Sequence, residues 1–279
     1  MTIAAIATLT LHEMLRRRLI LVAAILTAFV AILTGFGFHA LATQMYHGAP
    51  LSRVHVIGIT SQLLTLVAYM FSLVFALGGA FAAAPTLASD VETGLLLPML
   101  TRPIRRVEIV LGKFLGLSLF LSAYAFACGL IEFGVVRIAT GYWPPHPFVA
   151  LGYLCGVAIV MVSVTLLFSS RLSMIASGIA AVVLFGLAWI VGIAADIGAN
   201  AHNQAMVDAG TVSQLILPSD AFWRAAVYHL EPAALVASLH GSAPFVVAAP
   251  PPPAMIAWAI GWIAVVVGCA CWSFATRDF

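Results

Sequence analysis

The chain reads as an all-α membrane protein with six transmembrane helices, and three observations lead there. Of its 279 residues 63% are hydrophobic and 8% charged, with a mean hydropathy of +1.12. A soluble domain of that size could not cover its surface with so few charged side chains. Apolar segments of spanning length recur along the chain, each near or above the roughly 20 helical residues that cross a hydrocarbon core. Lysine and arginine gather on alternate connections between these segments, the asymmetry that orients membrane proteins.

The spans run from about Leu19 to Phe38, Val56 to Ala84, Val107 to Val136, Phe148 to Phe168, Leu172 to Ala195 and Ala254 to Ala275. The first follows Arg16, Arg17 and Arg18, but its apolar run exceeds the roughly 7 to 15 residues of a signal peptide. An uncleaved first span is expected. With both termini cytoplasmic, the inner side collects the arginine triplet, Arg102, Arg105, Arg106, Lys113, Arg171 and Arg277. The outer side holds only Arg53, Arg137 and Arg224. Tyr142 and Trp143 mark the outer end of the third span, and Trp272 and Phe274 the inner end of the sixth.

Ahead of the first span, Ile3, Ala7, Leu11, Met14 and Leu15 recur at helical spacing. They describe a short helix in the cytoplasmic interface, or a first span that starts early. Spans four and five meet at Ser169-Ser170-Arg171 and must form a tight antiparallel hairpin. Gly112-x-x-x-Gly116 and Gly152-x-x-x-Gly156 offer flat faces for close helix approach. The outer segment from Asp196 to Pro253 is too apolar for water, so short helices packed at the outer leaflet are expected. One begins near Ser219, a candidate N-cap, with Asp220 suited to the helix dipole, and it ends at Glu231-Pro232. The prolines from Pro250 to Pro253 form an extended lead into the last span. No repeat or boundary divides the chain, so residues 1–279 form one membrane domain.

Few residues carry reaction chemistry. His12-Glu13 is followed by Arg16 where a zinc protease needs histidine, and Gly112-Lys113 by Phe114 where a phosphate loop needs Ser or Thr. No Ser-His-Asp set can assemble within the spans, so no catalytic residue is assigned. Glu132 reads either as a carboxylate reaching the outer interface or as a substrate or proton site. Seven of the eight histidines fall outside, and Met45-x-His47 has ligand types that suit copper. No spacing fixes a coordination geometry, so no metal site is assigned. Cys128, Cys155, Cys269 and Cys271 all lie in apolar runs and read as small buried residues. The net charge of +2 is too small and too close to the membrane edges for nucleic acid.

The most informative stretch runs from Ser89 to Lys113, the long, charged, Pro-punctuated break between spans two and three. Ser89-x-x-Glu92 is a capping box that can start a short helix, with Leu95, Leu96, Leu97, Met99 and Leu100 as its apolar surface. Thr101-Arg102-Pro103 then breaks the chain before Arg105, Arg106 and Glu108. Such a helix can sit in another protein's socket or lie on lipid.

Glu92, Gly94, Thr101, Pro103, Arg106, Glu108, Gly112 and Lys113 fall without a gap on the pattern of the loop in ABC-2-type transporter membrane subunits, the type V exporter fold. Leu95, where threonine is usual, and Pro98 depart from it. The chain is therefore similar to that family, and the similarity extends to permeases serving nitrous-oxide-reductase maturation. Leu217-Pro218-Ser219-Asp220-Ala221-Phe222-Trp223-Arg224 resembles a run in their last outer loop, and Asp196 an acidic residue there.

The resemblance implies a homodimer in the bacterial inner membrane, bound to two copies of a separate ABC ATPase subunit. ATP and Mg would sit on that subunit, leaving this chain without a cofactor and without enzymatic activity. The coupling helix would use Glu92, Gly94, Leu96, Met99, Leu100, Arg102, Pro103 and Arg106. Spans two and five face the dimer axis in the family, which makes Tyr69, Phe71 and Trp189 pathway candidates. Asp220, Phe222 and Arg224 would contact a periplasmic partner, in keeping with copper-site maturation. Export of an apolar or lipid-like cargo, force transmission without cargo, and a membrane assembly role without an ATPase stay open.

Overall fold

The structure, a computed structural model, describes residues 3–16, 18–43, 45–46, 49–50, 52–92, 105–232, 247 and 249–277. Nine α-helices fall among them: α1 (Ile3–Arg16), α2 (Arg18–Ala42), α3 (Arg53–Glu92), α4 (Arg106–Thr140), α5 (Pro147–Ser169), α6 (Met174–Asn200), α7 (Gln204–Ile216), α8 (Ser219–Leu230) and α9 (Pro253–Ala275). Six are long and apolar enough to cross a membrane, namely α2 to α6 and α9. A two-residue antiparallel pair, Met45–Tyr46 with Ala49–Pro50, follows α2.

The spans therefore fall where the apolar runs lie, with longer ends. Helix α3 continues to Glu92, well past the expected end at Ala84, and α6 continues to Asn200. Ser89 is thus interior to a helix rather than the N-cap of a new one. Residues 93–104, which include the rest of the expected coupling helix, lie outside the described residues. Helix α4 stops at Gly141, whose φ of 74° is the left-handed conformation that a side chain disfavours. Helix α6 starts after Ser173, whose hydroxyl accepts from the Ala176 amide as an N-cap. That moves the fifth span two residues beyond its expected start at Leu172. Ser219 is likewise the first residue of α8, with Pro218 in the capping position. Pro252 is extended and Pro253 opens α9, as proline's fixed φ favours.

Helix α5 is the most enclosed of the spans and α2 the least, so α5 is the hub around which the others pack. Two apolar clusters fill the bundle. One, around Leu64, Leu151, Leu154 and Leu230, lies toward the end carrying α7 and α8; the other, around Met14, Leu117, Leu166 and Phe274, lies toward the chain termini. We call these ends the far face and the terminal face. Helix α1 is separate from α2 and lies along α4, so the first span does not begin early. The glycine pair of α4 makes this possible. A Cβ on Gly112 would come within 2.6 Å of Ile6, and one on Gly116 within 2.7 Å of the Ala7 carbonyl. In the span region the Thr27 hydroxyl meets Tyr124 Oη at 2.7 Å, tying the loosely packed α2 to α4.

Candidate functional site

Backbone ends converge on the terminal face, and side chains of the basic connections satisfy them. Arg106, expected in coupling, directs its guanidinium at the C-terminal end of α9 and donates to the carbonyls of Ala275 (3.1 Å) and Arg277 (2.6 Å). A cation there complements the helix dipole and fills carbonyls that the ladder leaves open. Lys113 donates to the Thr86 carbonyl near the end of α3. Ser169 bonds the same turn of α3, while Arg171 and Arg277 join the α5–α6 turn to the end of α9. Four element ends are thereby stitched together beside the segment 93–104. Glu92 is the last residue of α3. Gly94, Leu96, Met99, Leu100, Arg102 and Pro103 lie outside the described residues.

The pathway candidates divide. Tyr69 of α3 and Trp189 of α6 stack with ring centroids 5.8 Å apart, and Trp223 of α8 tilts against Tyr69 at 4.9 Å. These three rings, with Ser72, Phe185 and Asp220, line one small cavity. Phe71 lines a different cavity with Phe75 and Glu132. Two helical residues are about 200° apart around the axis, so Tyr69 and Phe71 cannot share a face. Trp223 was legible only as part of an outer-loop run; nothing in its spacing joins it to Tyr69.

Glu132 does not reach the outer interface. It is 2% exposed, and neither carboxyl oxygen has a partner in hydrogen-bonding geometry. The Thr34 hydroxyl beside it donates to the carbonyls of Val30 and Ala31.

On the far face, Arg224 is shared by two carboxylates: Nε donates to Asp220 Oδ2 (2.7 Å) and Nη1 to Asp196 Oδ1 (2.8 Å). Gln214 of α7 adds a third bond, to Asp220 Oδ2 at 2.7 Å, so α6, α7 and α8 are joined through the two carboxylates and Arg224. Burial opposes the Arg224 cation, but Asp220 and Asp196 outweigh it and hold its pKa above the ordinary arginine value. Phe222, expected to meet a partner, packs inward instead, against Gly156 and Tyr153. Spacing explains this: α8 buries Ala221, Phe222, Ala225 and Ala226 as one stripe toward α5.

Glu231, just past α8, is a site that sequence reasoning missed; a lone acid before proline was its only signal. It is 4% exposed and accepts from the Thr65 hydroxyl of α3 (3.1 Å). Burial pushes its pKa up to about 7, with the Thr65 bond opposing. The neighbouring Tyr142 hydroxyl, buried rather than interfacial, donates to the Leu230 carbonyl at 2.6 Å.

Among the described residues, no three His, Cys, Asp or Glu side chains converge as metal ligands. His47 and His240 lie outside those residues. Three cysteines are buried as expected, but Cys269 of α9 is exposed.

Residues 4–279 match the family model described as ABC-2 family transporter protein. Comparison with individual curated proteins gave no match. The match covers all six spanning helices, as well as α1, the glycine pair that seats it and the terminal-face network. This multi-pass membrane chain belongs to the ABC-2 family of transporter proteins.

Proposed function

We propose that the chain is the membrane-spanning permease subunit of an ABC transporter, driven by a separate ATP-hydrolysing subunit on its terminal face. The observation that carries this reading is the terminal-face network. The ends of α3 and α4, which bracket residues 93–104, are bonded to each other and to α9 through Lys113 and Arg106. A push on the bracketed segment would therefore move span ends together rather than unravel one helix. ATP and Mg would bind the partner subunit, and this chain would supply lever and spans. Family membership supports the partner, since ABC-2 permeases work with an ABC ATPase. The excess of basic residues on the terminal face supports an orientation with both termini in the cytoplasm of a bacterial inner membrane.

In this reading two copies form a homodimer, and the spans rock as ATP binds and leaves. The Tyr69, Trp189 and Trp223 cluster lies at the α3–α6–α8 junction, where such rocking would alter an apolar path. The run from Leu217 to Arg224 supports a narrower role in periplasmic copper-site maturation. There α7 and α8, braced by Asp220 and Arg224, would present their outer surface to a periplasmic protein.

Purification of the tagged chain from its native membranes in mild detergent tests the central claim. An ATP-binding subunit is expected to co-purify in equal amount and to hydrolyse ATP. Arg106→Glu is expected to keep the subunit bound while lowering the hydrolysis that depends on the permease. A preparation that retains native lipid and carries no ATPase would remove this reading.

A further inference from the structure

The turn between α5 and α6 holds two helices at once, through consecutive residues. Ser169, the last residue of α5, is fully buried. Its hydroxyl donates to the Ala84 carbonyl (2.8 Å) and accepts from the Ala88 amide (3.1 Å). Those two groups, four residues apart, are the two ends of one rung in the ladder of α3. Pro85 lies within the same turn and has no N–H to offer the Phe81 carbonyl. The ladder therefore lacks the bond from Pro85 to Phe81 and is supported from outside at the rung from Ala88 to Ala84, within the following turn. A hydroxyl that serves both groups lets the rung lengthen without stranding a buried polar atom.

The following residues grip α9. Ser170 Oγ and Ser273 Oγ share a hydrogen bond (2.8 Å), Arg171 Nε donates to Ser273 Oγ (3.0 Å), and Arg171 Nη2 donates to Thr276 Oγ1 (2.8 Å). Arg277 returns a bond to the Ser170 carbonyl at 2.9 Å. Three successive residues thus connect helices that are far apart in the chain.

We infer that residues 169–171 are a relay that locks the Pro85 turn of α3 to the C-terminal turn of α9, with Ser169 the positioning residue on one side and Ser273 on the other. The inference rests on the reading in which force enters through residues 93–104, and it names the next step. A displacement of the α3 end reaches the sixth span through the α5–α6 turn. The Pro85 turn bends, and the rung held by Ser169 keeps the bend in register with α5.

Coupling of this kind is reciprocal, which makes it testable in the full chain without an ATPase. Hydrogen exchange is followed by mass spectrometry in nanodiscs of phosphatidylethanolamine and phosphatidylglycerol, for Ser169→Ala, Ser273→Ala and the double variant. Each single variant is expected to speed exchange about tenfold both in residues 84–92 and in residues 270–277. The double variant should add little beyond the larger single effect. Ser273→Thr, which keeps the hydroxyl, should exchange like the parent chain. Effects confined to each variant's own helix, additive effects in the double, or no change in either single would each overturn the relay. So would a Ser273→Thr variant that behaves like Ser273→Ala, because volume rather than the bond would then be responsible. The measurement needs no partner, so a failed relay leaves the ATPase reading standing. A missing ATPase likewise leaves the exchange result unaltered.

Discussion

The two faces of the bundle are held by different chemistry. On the terminal face, permanent cations and hydroxyls reach backbone carbonyls at helix ends: Arg106 on Ala275 and Arg277, Lys113 on Thr86, Ser169 on Ala84. On the far face, carboxylates are the centres: Asp220 gathers Arg224 and Gln214, and Glu231 takes the Thr65 hydroxyl. A backbone carbonyl has no charge state to change, whereas a buried carboxyl does. The terminal face is thus held by acceptors that carry no charge of their own. The far face is built so that its fit depends on charge state.

The sharpest way to break that contrast is to change pH. Burial keeps Glu231 protonated up to about pH 7, whereas an exposed glutamate ionises near 4.5. The folded far face therefore binds this proton more tightly than the unfolded chain. The resulting stability is complete below pH 4.5, declines between 4.5 and 7, and is lost above 7. The full span is worth up to about 3 kcal/mol. Hydrogen exchange in α8, corrected for intrinsic rates, is expected to quicken across that window while the end of α9 stays protected. Glu231→Gln should flatten the response. Equal pH dependence on both faces would refute the contrast.

A smaller effect is expected from Gly116→Val on the terminal side. Its Cβ has no room beside the Ala7 carbonyl and Thr10, so α1 must shift at a cost of about 2 kcal/mol. Limited proteolysis should then cut within residues 3–16 while α8 keeps its protection. The smallest change comes from Arg224→Met. Asp196, half-exposed, and Asp220, mostly buried, lose their shared cation, costing about 1 to 2 kcal/mol, between the values for surface and buried pairs. Exchange should rise in α7 and α8, and the terminal face should be silent. A response at residues 270–277 would show that the faces are not independent.

How far the sequence could be read depended on the range of the interaction involved. The spans were legible because a hydrocarbon core demands length and apolarity, which are local properties. Gly112 and Gly116 were legible as a flat face, and only packing showed that the face belongs to α1 rather than to another span. Ser89 and Glu92 matched a capping box, but α3 runs on past Ser89 and ends at Glu92. Tyr69 and Phe71 entered as one set and face two cavities, a consequence of helical periodicity that pairwise choice overlooked. Phe222 was expected to meet a partner and is buried against Gly156 of α5, and Glu132, one reading of which was an interfacial carboxylate, is buried in a cavity lined by Leu151 and Leu154 of α5.

What this chain's amino acids determine alone is the membrane class, the number and approximate placement of the spans, and the side on which basic residues collect. All three follow from the transfer of side chains between water and hydrocarbon, which each segment experiences by itself. Tertiary structure decided which polar groups meet: Ser169 with Ala84 and Ala88, Arg106 with the end of α9, Glu231 with Thr65. These partners are separated by tens to more than a hundred residues. Inside an apolar bundle most buried polar groups find a mate wherever packing brings one, and no local pattern records where that is.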